Sequence, residues 1–337
     1  MGNFSNLLKY TLKRLGLALL ILFVISVILY TLMKFMPSSE MENQLLTQLS
    51  TGAITQEEFD RQADMLGLYD KGFMDIFNGY FKWLGSILQG DFGVSLKSGK
   101  RVVDQIRDTM GVSFTISFIS LILQLIIAIP LGIKCATSQY GKFDYTTTVI
   151  CMTFMAFPSF FLGNLFIKWF AVDLGWFPVG GNISGNEIGL TWWESLLDQA
   201  YHLVLPMIVL VLLSVGGLMR YTRTNTLEVL NADYIRTARA KGLSENAVIY
   251  KHVFRNTLIP LVTQLAYMLP GLFGGSMITE SVFAIEGIGQ AAYNALSAVD
   301  IPFIMAYNMF IAVLSVTGVL LADIAYSLVD PRVKLGG

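Results

Sequence analysis

The chain has 337 residues, of which 54% are hydrophobic and 14% charged, with a net charge of −1 and a mean hydropathy of +0.59. Soluble domains carry about 25% charged residues, so the composition excludes an ordinary soluble protein and favours a membrane protein. The two cysteines, Cys135 and Cys151, have no paired spacing. This excludes a disulfide framework and a cysteine-based metal site and predicts two inert thiols.

The first predicted element is a retained transmembrane helix. Lys9, Lys13 and Arg14 precede an apolar run that continues to about Met36, and no A-x-A-like cleavage site follows. The run is too long for a signal peptide and long enough to cross a bilayer. Residues 1–36 are therefore interpreted as an N-terminal segment with the first span.

Further apolar runs predict an all-α membrane protein with six transmembrane helices, because backbone groups in lipid must be satisfied within helices. Between the first two spans, 37–112 is polar and acidic on balance and is predicted to be an extracytoplasmic insert. A five-helix core (113–329) and a short tail (330–337) follow. The predicted spans are about 15–36, 113–134, 146–170, 202–221, 257–281 and 303–328.

The placement of Lys and Arg sets the orientation. With both termini in the cytoplasm, more than half of the 23 basic residues fall in cytoplasmic segments, and most of the 24 acids fall on the other side. This follows the positive-inside rule. A basic segment at about 222–256 is then cytoplasmic, which excludes an external ligand as its partner.

Polar and small residues within the predicted spans are candidates for a translocation path, because such residues usually face a bundle interior or a wet cavity. Interhelical hydrogen bonding is an equally open interpretation of the amides. The glycines form a G-x-x-x-G pattern that also suits close helix packing. The candidates are Gln124, Asn164, Gln264, Gly271, Gly275 and Asn308.

No catalytic or cofactor motif is found. The segment "GVSLKSGKR" has the wrong glycine spacing for a nucleotide-binding loop. Ser276 lies beside glycines but lacks a nearby base, and His202 and His252 fall on opposite faces of the membrane. We expect no catalytic residue, no metal site and no cofactor on this chain.

The segment "ADYIRTARAKGLSENAVIYKHVFRNTLIP" (232–260) is unusually basic for so apolar a chain. Its pattern predicts a helix that ends at Gly242 in the left-handed conformation. Ser244 is placed to cap a second helix, with Glu245 in the first turn. Pro260 is predicted in the first turn of the next span.

Two surfaces are predicted on this segment. Arg236 and Arg239 lie three apart and form a basic ridge, and Ala238 and Gly242 lie four apart as a small-residue patch that another backbone could approach. The alternative is a basic helix that rests on anionic headgroups.

The same residues carry a family resemblance. "DYIRTARAKGLSE" followed by "HVFRNTLIP" resembles the EAA-type cytoplasmic loop of ABC importer permeases, in the oligopeptide and dipeptide branch. Arg236 and Thr237 depart from the general pattern, since they stand where Glu and the first Ala are usual. Other segments resemble the family in the same order over nearly the whole chain: "WLGSILQGDFGVSLKSGKRVVDQI", "FPSFFLGNLF", "LGWFPVGG", "GGSMITESVFAIEGIGQ" and "DPRVK".

The resemblance implies a type I importer permease bundle in the bacterial inner membrane, whose loop docks on a cytoplasmic ATPase. It also implies two ATPase subunits that bind ATP and Mg, a homologous second permease and an extracytoplasmic peptide-binding protein. Import of a nickel chelate or a glycan is an alternative within the family, and a membrane-embedded enzyme or a scaffold is an alternative outside it. The residues that the resemblance assigns to the ATPase-coupling loop are Tyr234, Arg236, Thr237, Ala238, Arg239, Ala240, Lys241, Gly242, Leu243 and Ser244.

Overall fold

The computed structural model describes residues 2–35, 38–69, 72–184 and 191–329. The predicted tail, 330–337, lies outside these residues. Within them the chain is almost entirely helical, and its only strand-like feature is an isolated bridge between Val94 and Arg101. The prediction of an all-α protein is therefore confirmed.

Fourteen α-helices are found in the described residues, two of them continued by π-helical turns. They are α1 Gly2–Lys34, α2 Ser38–Ser50, α3 Gln56–Leu66, α4 Phe73–Leu88, α5 Val102–Thr137, α6 Lys142–Ala156, α7 Ser159–Phe166 with the π-helix Ile167–Asp173, α8 Trp192–Leu230, α9 Asp233–Ala240, α10 Glu245–Ala247 with the π-helix Val248–Val253, α11 Phe254–Gly274, α12 Met277–Val282, α13 Ile288–Ser297 and α14 Ile301–Val329.

Four of these helices are long and apolar enough to cross a membrane, namely α1, α5, α8 and α14. A fifth span results if α6 and α7 with its π-helix are counted together across their 99° bend. The bend falls at Pro158, whose ring disfavours a helical conformation for Phe157. The described residues thus give four or five spans, and the count of six stays a prediction.

Several predicted spans have different bounds in the structure. Helix α1 begins at Gly2 rather than at about 15, and α8 covers Trp192–Leu230 rather than 202–221. The predicted 222–256 loop therefore includes the end of α8 and the start of α11, which begins at Phe254. Helix α5 begins at Val102 rather than at 113, since the preceding residues contain no proline and continue the helix above the apolar run. The predicted span 257–281 is divided into α11 and α12 by a short break, in which Gly275 has a φ of +68°.

The described residues belong to two compact units. The first comprises Met1–Val112, Leu269–Met277 and Gly287–Gly337, and the second comprises Ser113–Met268 and Ile278–Glu286.

In the first unit, the 37–112 segment is folded against α1 and the start of α14. Its core includes Tyr30 and Met33 of α1, Trp83 of α4 and Ile301 of α14, all buried. The Lys34 ammonium donates to the carbonyl oxygens of Leu66 and Gly67, at 3.2 and 2.8 Å. These bonds satisfy carbonyls at the end of α3 that the helix itself leaves free.

A buried carboxylate joins the loop after α4 to α14 in the same unit. Asp300 is 2% exposed and stands directly before α14. One of its oxygens accepts from the Leu96 backbone N–H at 2.9 Å, and the other accepts from the Ser95 hydroxyl. Because a buried carboxylate is stable only when it is hydrogen-bonded, these contacts fix the loop.

In the second unit, glycines allow close packing on α8. A Cβ at Gly132 of α5 would lie 2.6 Å from the Met219 carbonyl oxygen, and one at Gly216 of α8 would lie 2.6 Å from the Met155 sulfur of α6. Cys135 and Cys151 are both free, as the sequence predicts, and both are buried in this region.

Candidate functional site: the 222–256 loop

The loop between α8 and α11 has the local structure that the sequence predicts. Helix α9 is followed by Lys241 and then by Gly242, whose φ is +80°. The Ser244 hydroxyl accepts from the Ala247 N–H at 3.4 Å, and Glu245 stands in the first turn of α10. The predictions for Gly242 and Ser244 are confirmed.

The prediction for Pro260 is wrong. Helix α11 already begins at Phe254, so Pro260 lies inside it, and the chain is helical without a break from Glu245 to Gly274. A proline inside a helix removes one backbone hydrogen bond. In a membrane protein, a neighbouring helix or a local π turn can satisfy the backbone group that is left free.

The inner side of the loop is a small apolar cluster. It contains Ile235 and Ala238 of α9 with Val248 and Val253 of the following π-helix. Ile235 and Ala238 are three residues apart and therefore share one face of α9. Ala238 is 7% exposed, so the predicted outward patch of Ala238 and Gly242 is wrong for Ala238.

The remaining coupling candidates share one property, since each is exposed in the structure. Gly242 is open enough that a Cβ built on it would have no atom within 4 Å. The exposed surface thus combines apolar side chains with cationic ones, and it is formed on a packed inner cluster. Its members are Tyr234, Arg236, Thr237, Arg239, Ala240, Lys241, Gly242, Leu243 and Ser244.

The predicted basic ridge is partly neutralised. Arg239 donates to both carboxylate oxygens of Glu245, at 3.1 and 2.6 Å. This hydrogen bonding holds the pKa of Glu245 below its ordinary value and raises the pKa of Arg239, so both groups are charged at neutral pH. Arg236 lies 3.8 Å from Asp233, with both side chains largely exposed.

A buried ion pair lies at the base of the loop. Arg223 of α8 donates from Nε and Nη2 to the two oxygens of Asp144 of α6, both at 2.7 Å. The Asp144 side chain is 6% exposed and also accepts from the Tyr140 N–H at 2.9 Å. Sequence reasoning did not find this pair, although an acid among mostly basic residues at a predicted cytoplasmic end was a usable signal.

The candidate path residues fall in different environments. Gln124 of α5 is buried, and its amide donates to the Ser214 carbonyl oxygen of α8 at 3.0 Å. For Gln124 the structure therefore favours interhelical hydrogen bonding. The amides of Asn164 and Asn308 are exposed and donate to carbonyl oxygens four residues earlier in their own helices.

Among the other candidates, Gln264 is half-buried in α11, Gly271 is exposed in the same helix, and Gly275 lies in the break after it. Gln124, Asn164 and Gln264 belong to the second unit, whereas Gly271, Gly275 and Asn308 belong to the first. The assignment of a path to these six residues stays a prediction.

Comparison with known proteins identifies the family of this helical membrane protein. The model of the binding-protein-dependent transport system inner membrane component family matches residues 128–335, which include the whole 222–256 loop. The chain belongs to this family. It is thus a multi-pass inner membrane permease of a binding-protein-dependent transport system, and the helical spans of the structure agree with that assignment.

Relatives of this permease extend the match to the first span and the insert. The oligopeptide transport system permease protein AppB of Bacillus subtilis is 38% identical over 326 residues, which are 96% of this chain and 99% of that protein. The dipeptide transport system permease protein DppB of Alkalihalophilus pseudofirmus is 30% identical, with 97% and 100% covered. The peptidoglycan transport system permease protein YejB of Agrobacterium fabrum is 34% identical, with 75% and 71% covered.

Proposed function

We propose that this permease is the transmembrane subunit of an ATP-driven importer that moves oligopeptides or dipeptides into the cytoplasm by alternating access. The observation that carries the proposal is the exposed surface of the loop that follows α8. This surface is packed on the loop's own apolar cluster. The family and the peptide-transport relatives support the substrate class.

The proposed partner of the loop is a cytoplasmic ATPase, with ATP and Mg held on that partner. Tyr234 and Leu243 are large side chains beside the cations of the loop, and they are 49% and 42% exposed. A mixed surface of this kind fits an apolar groove with acidic groups at its rim, where charge complementarity sets the register. Two such ATPases, a homologous second permease, an extracytoplasmic binding protein and cytoplasmic termini complete the proposed complex.

The loop would transmit movement because it is stiff at both ends. Helix α8 is continuous to Leu230, and α10 continues into α11 through the π-helix. The Asp144–Arg223 pair fastens the cytoplasmic end of α8 to α6. Closure of the ATPases would then move helices as rigid bodies between two states, and the loop would supply contacts that differ between those states.

The substrate class has one specific alternative. A relative named for peptidoglycan transport supports import of glycan-containing peptides as the second candidate. We expect no ATP hydrolysis by this chain alone under either substrate.

Replacement of Gly242 tests the docking role. Gly242→Arg places a long cation in the open space beside Gly242, and we expect it to reduce substrate-stimulated ATP hydrolysis by the reconstituted complex at least tenfold. Gly242→Ala is the matched control, because it imposes the same backbone strain at a φ of +80°, about 1–2 kcal/mol, without the bulk. We expect Gly242→Ala to retain most of the stimulation.

Two results would contradict the proposal. Either Gly242→Arg leaves stimulation unchanged in a complex that assembles, or both variants lose stimulation equally, which assigns the effect to strain. Purification in mild detergent provides a separate check. Repeated recovery of the permease without ATPase subunits would favour the scaffold or enzyme alternative.

A further inference from the structure

Helix α4 has three distinct sides. Residues advance by about 100° each around a helix, which places Tyr80, Trp83 and Ile87 together on a side that is buried in the core of the first unit. The opposite side is polar and carries Asp75, Asn78, Lys82 and Ser86. Between them lies a third side, the apolar stripe, formed by Met74, Phe77, Phe81 and Leu88.

The apolar stripe is exposed although it consists only of large apolar side chains. Met74, Phe77, Phe81 and Leu88 are 67%, 50%, 49% and 79% exposed. The rings of Phe77 and Phe81 contact each other edge to face, with centroids 4.9 Å apart. Contiguous apolar surface of this kind marks a contact with a membrane or a protein.

The stripe is continuous with the lipid-facing surface of α1. Tyr80 lies between the two helices: its ring centroid is 6.2 Å from that of Phe23 on α1 and 5.1 Å from that of Phe81 on α4. Its hydroxyl is 2.8 Å from the Ser26 hydroxyl. Phe23 is itself 47% exposed and lies in the α1 span, Thr11–Lys34.

A groove extends this surface. Leu84 and Leu88 of α4 line it together with Leu19 and Phe23 of α1, and its volume is about 640 Å³. Side chains of a membrane span that face outward are covered by lipid tails. Leu88 therefore lies beside a surface that the bilayer already covers.

From this geometry we propose that α4 is an interfacial helix whose apolar stripe inserts into lipid of the leaflet near the C-terminal end of α1. Its polar side then faces water, where the Lys82 ammonium pairs with Asp64 at 2.9 Å. Separate apolar and polar sides are typical of helices that lie in a membrane interface. The occupant is lipid rather than a protein, because the stripe holds no charged group and continues a surface that the bilayer covers.

Anchoring of α4 has a consequence for the 37–112 segment. Helix α4 packs on the core that holds α2, α3 and the start of α14. Insertion of the stripe therefore fixes this whole folded segment at one depth relative to the bilayer. Lipid insertion of α4 depends neither on the transported substrate nor on the ATPases.

Spin-label accessibility tests the proposal. Nitroxides are attached to Phe77→Cys and Phe81→Cys, with Asn78→Cys on the polar side of α4 as the matched control. Cys135 and Cys151, both buried, are replaced by alanine, and the full complex is placed in phospholipid nanodiscs. Collision rates are measured with oxygen, which concentrates in lipid, and with a neutral nickel chelate, which stays in water.

We expect labels at 77 and 81 to collide several-fold more with oxygen than with the nickel chelate, and the label at 78 to give the opposite ratio. High nickel accessibility at 77 and 81 would place the stripe in water and overturn the proposal. Low accessibility to both reagents would assign the stripe to a protein partner and would overturn it equally. Substrate-stimulated ATP hydrolysis in the same nanodiscs reports the proposed transport function separately.

Discussion

Gly132→Ala is expected to destabilise the second unit by about 3 kcal/mol or more, at the upper end of the cost of overpacking. The added Cβ would lie 2.6 Å from the Met219 carbonyl oxygen and 2.7 Å from Cβ of Thr222. Both atoms belong to the stiff part of α8, so neither can move aside as the end of a flexible side chain could. Helix α5 must instead shift away from α8. The measurement is thermal unfolding of the purified permease in detergent, followed by tryptophan fluorescence.

Gly111→Ala is the control for this substitution. Gly111 lies in the same helix, and a Cβ there would have no atom within 4 Å. Alanine favours helix over glycine by roughly 0.5–1 kcal/mol, so this variant should be unchanged or slightly more stable. Equal unfolding temperatures for the two variants would show that α5 and α8 are less closely packed at Gly132 than described.

Asp144→Ala is expected to destabilise the permease by about 3 kcal/mol, because loss of one partner leaves the other charge of a buried pair uncompensated. The Arg223 side chain is 22% exposed, which places the cost at the lower end of the usual range. Since the pair fastens the end of α8 that leads into the 222–256 loop, the proposed docking role predicts that substrate-stimulated ATP hydrolysis falls as well. Unfolding temperature and stimulated hydrolysis are measured on the same preparation.

Two further variants separate the ion pair from a general effect of charge. The reversed pair, Asp144→Arg with Arg223→Asp, should recover part of the lost stability and coupling. Lys168→Ala removes a partner of the exposed pair Lys168–Asp173 and should cost no more than about 1 kcal/mol. If Lys168→Ala and Asp144→Ala lower the free energy of unfolding equally, the Asp144–Arg223 pair stabilises the permease no more than an exposed ion pair does.

Local chemistry made the turn of the 222–256 loop predictable. Only glycine adopts a left-handed conformation without strain, so Gly242 marks the end of α9, and a serine hydroxyl before a helix caps it, as at Ser244. These effects act within a few residues and need no knowledge of the remaining fold. The apolar runs likewise predicted most of the spans, since a bilayer demands length and hydrophobicity alone.

Other features depend on neighbours that are distant in sequence. The direction of Ala238 is set by Val248 and Val253, which follow it across a turn. The bond from Gln124 to Ser214 and the pair of Asp144 with Arg223 each join two helices. No local pattern reveals which helices are adjacent. For this reason the sequence could not decide whether each amide in the spans lines a path or forms a hydrogen bond between helices.

The π-helix Val248–Val253 has a consequence for the length of the chain. A π turn holds one residue more than an α turn, so deletion of a single residue there can be absorbed by conversion to α geometry, with the helix kept intact. A deletion in the regular α-helical part of α11 would instead rotate everything before it by about 100° around the helix axis. Val248 would then leave the apolar cluster, and the side of α9 that faces outward would change. The π-helix therefore lets the chain between Gly242 and α11 lose one residue without a change in the direction of the loop surface.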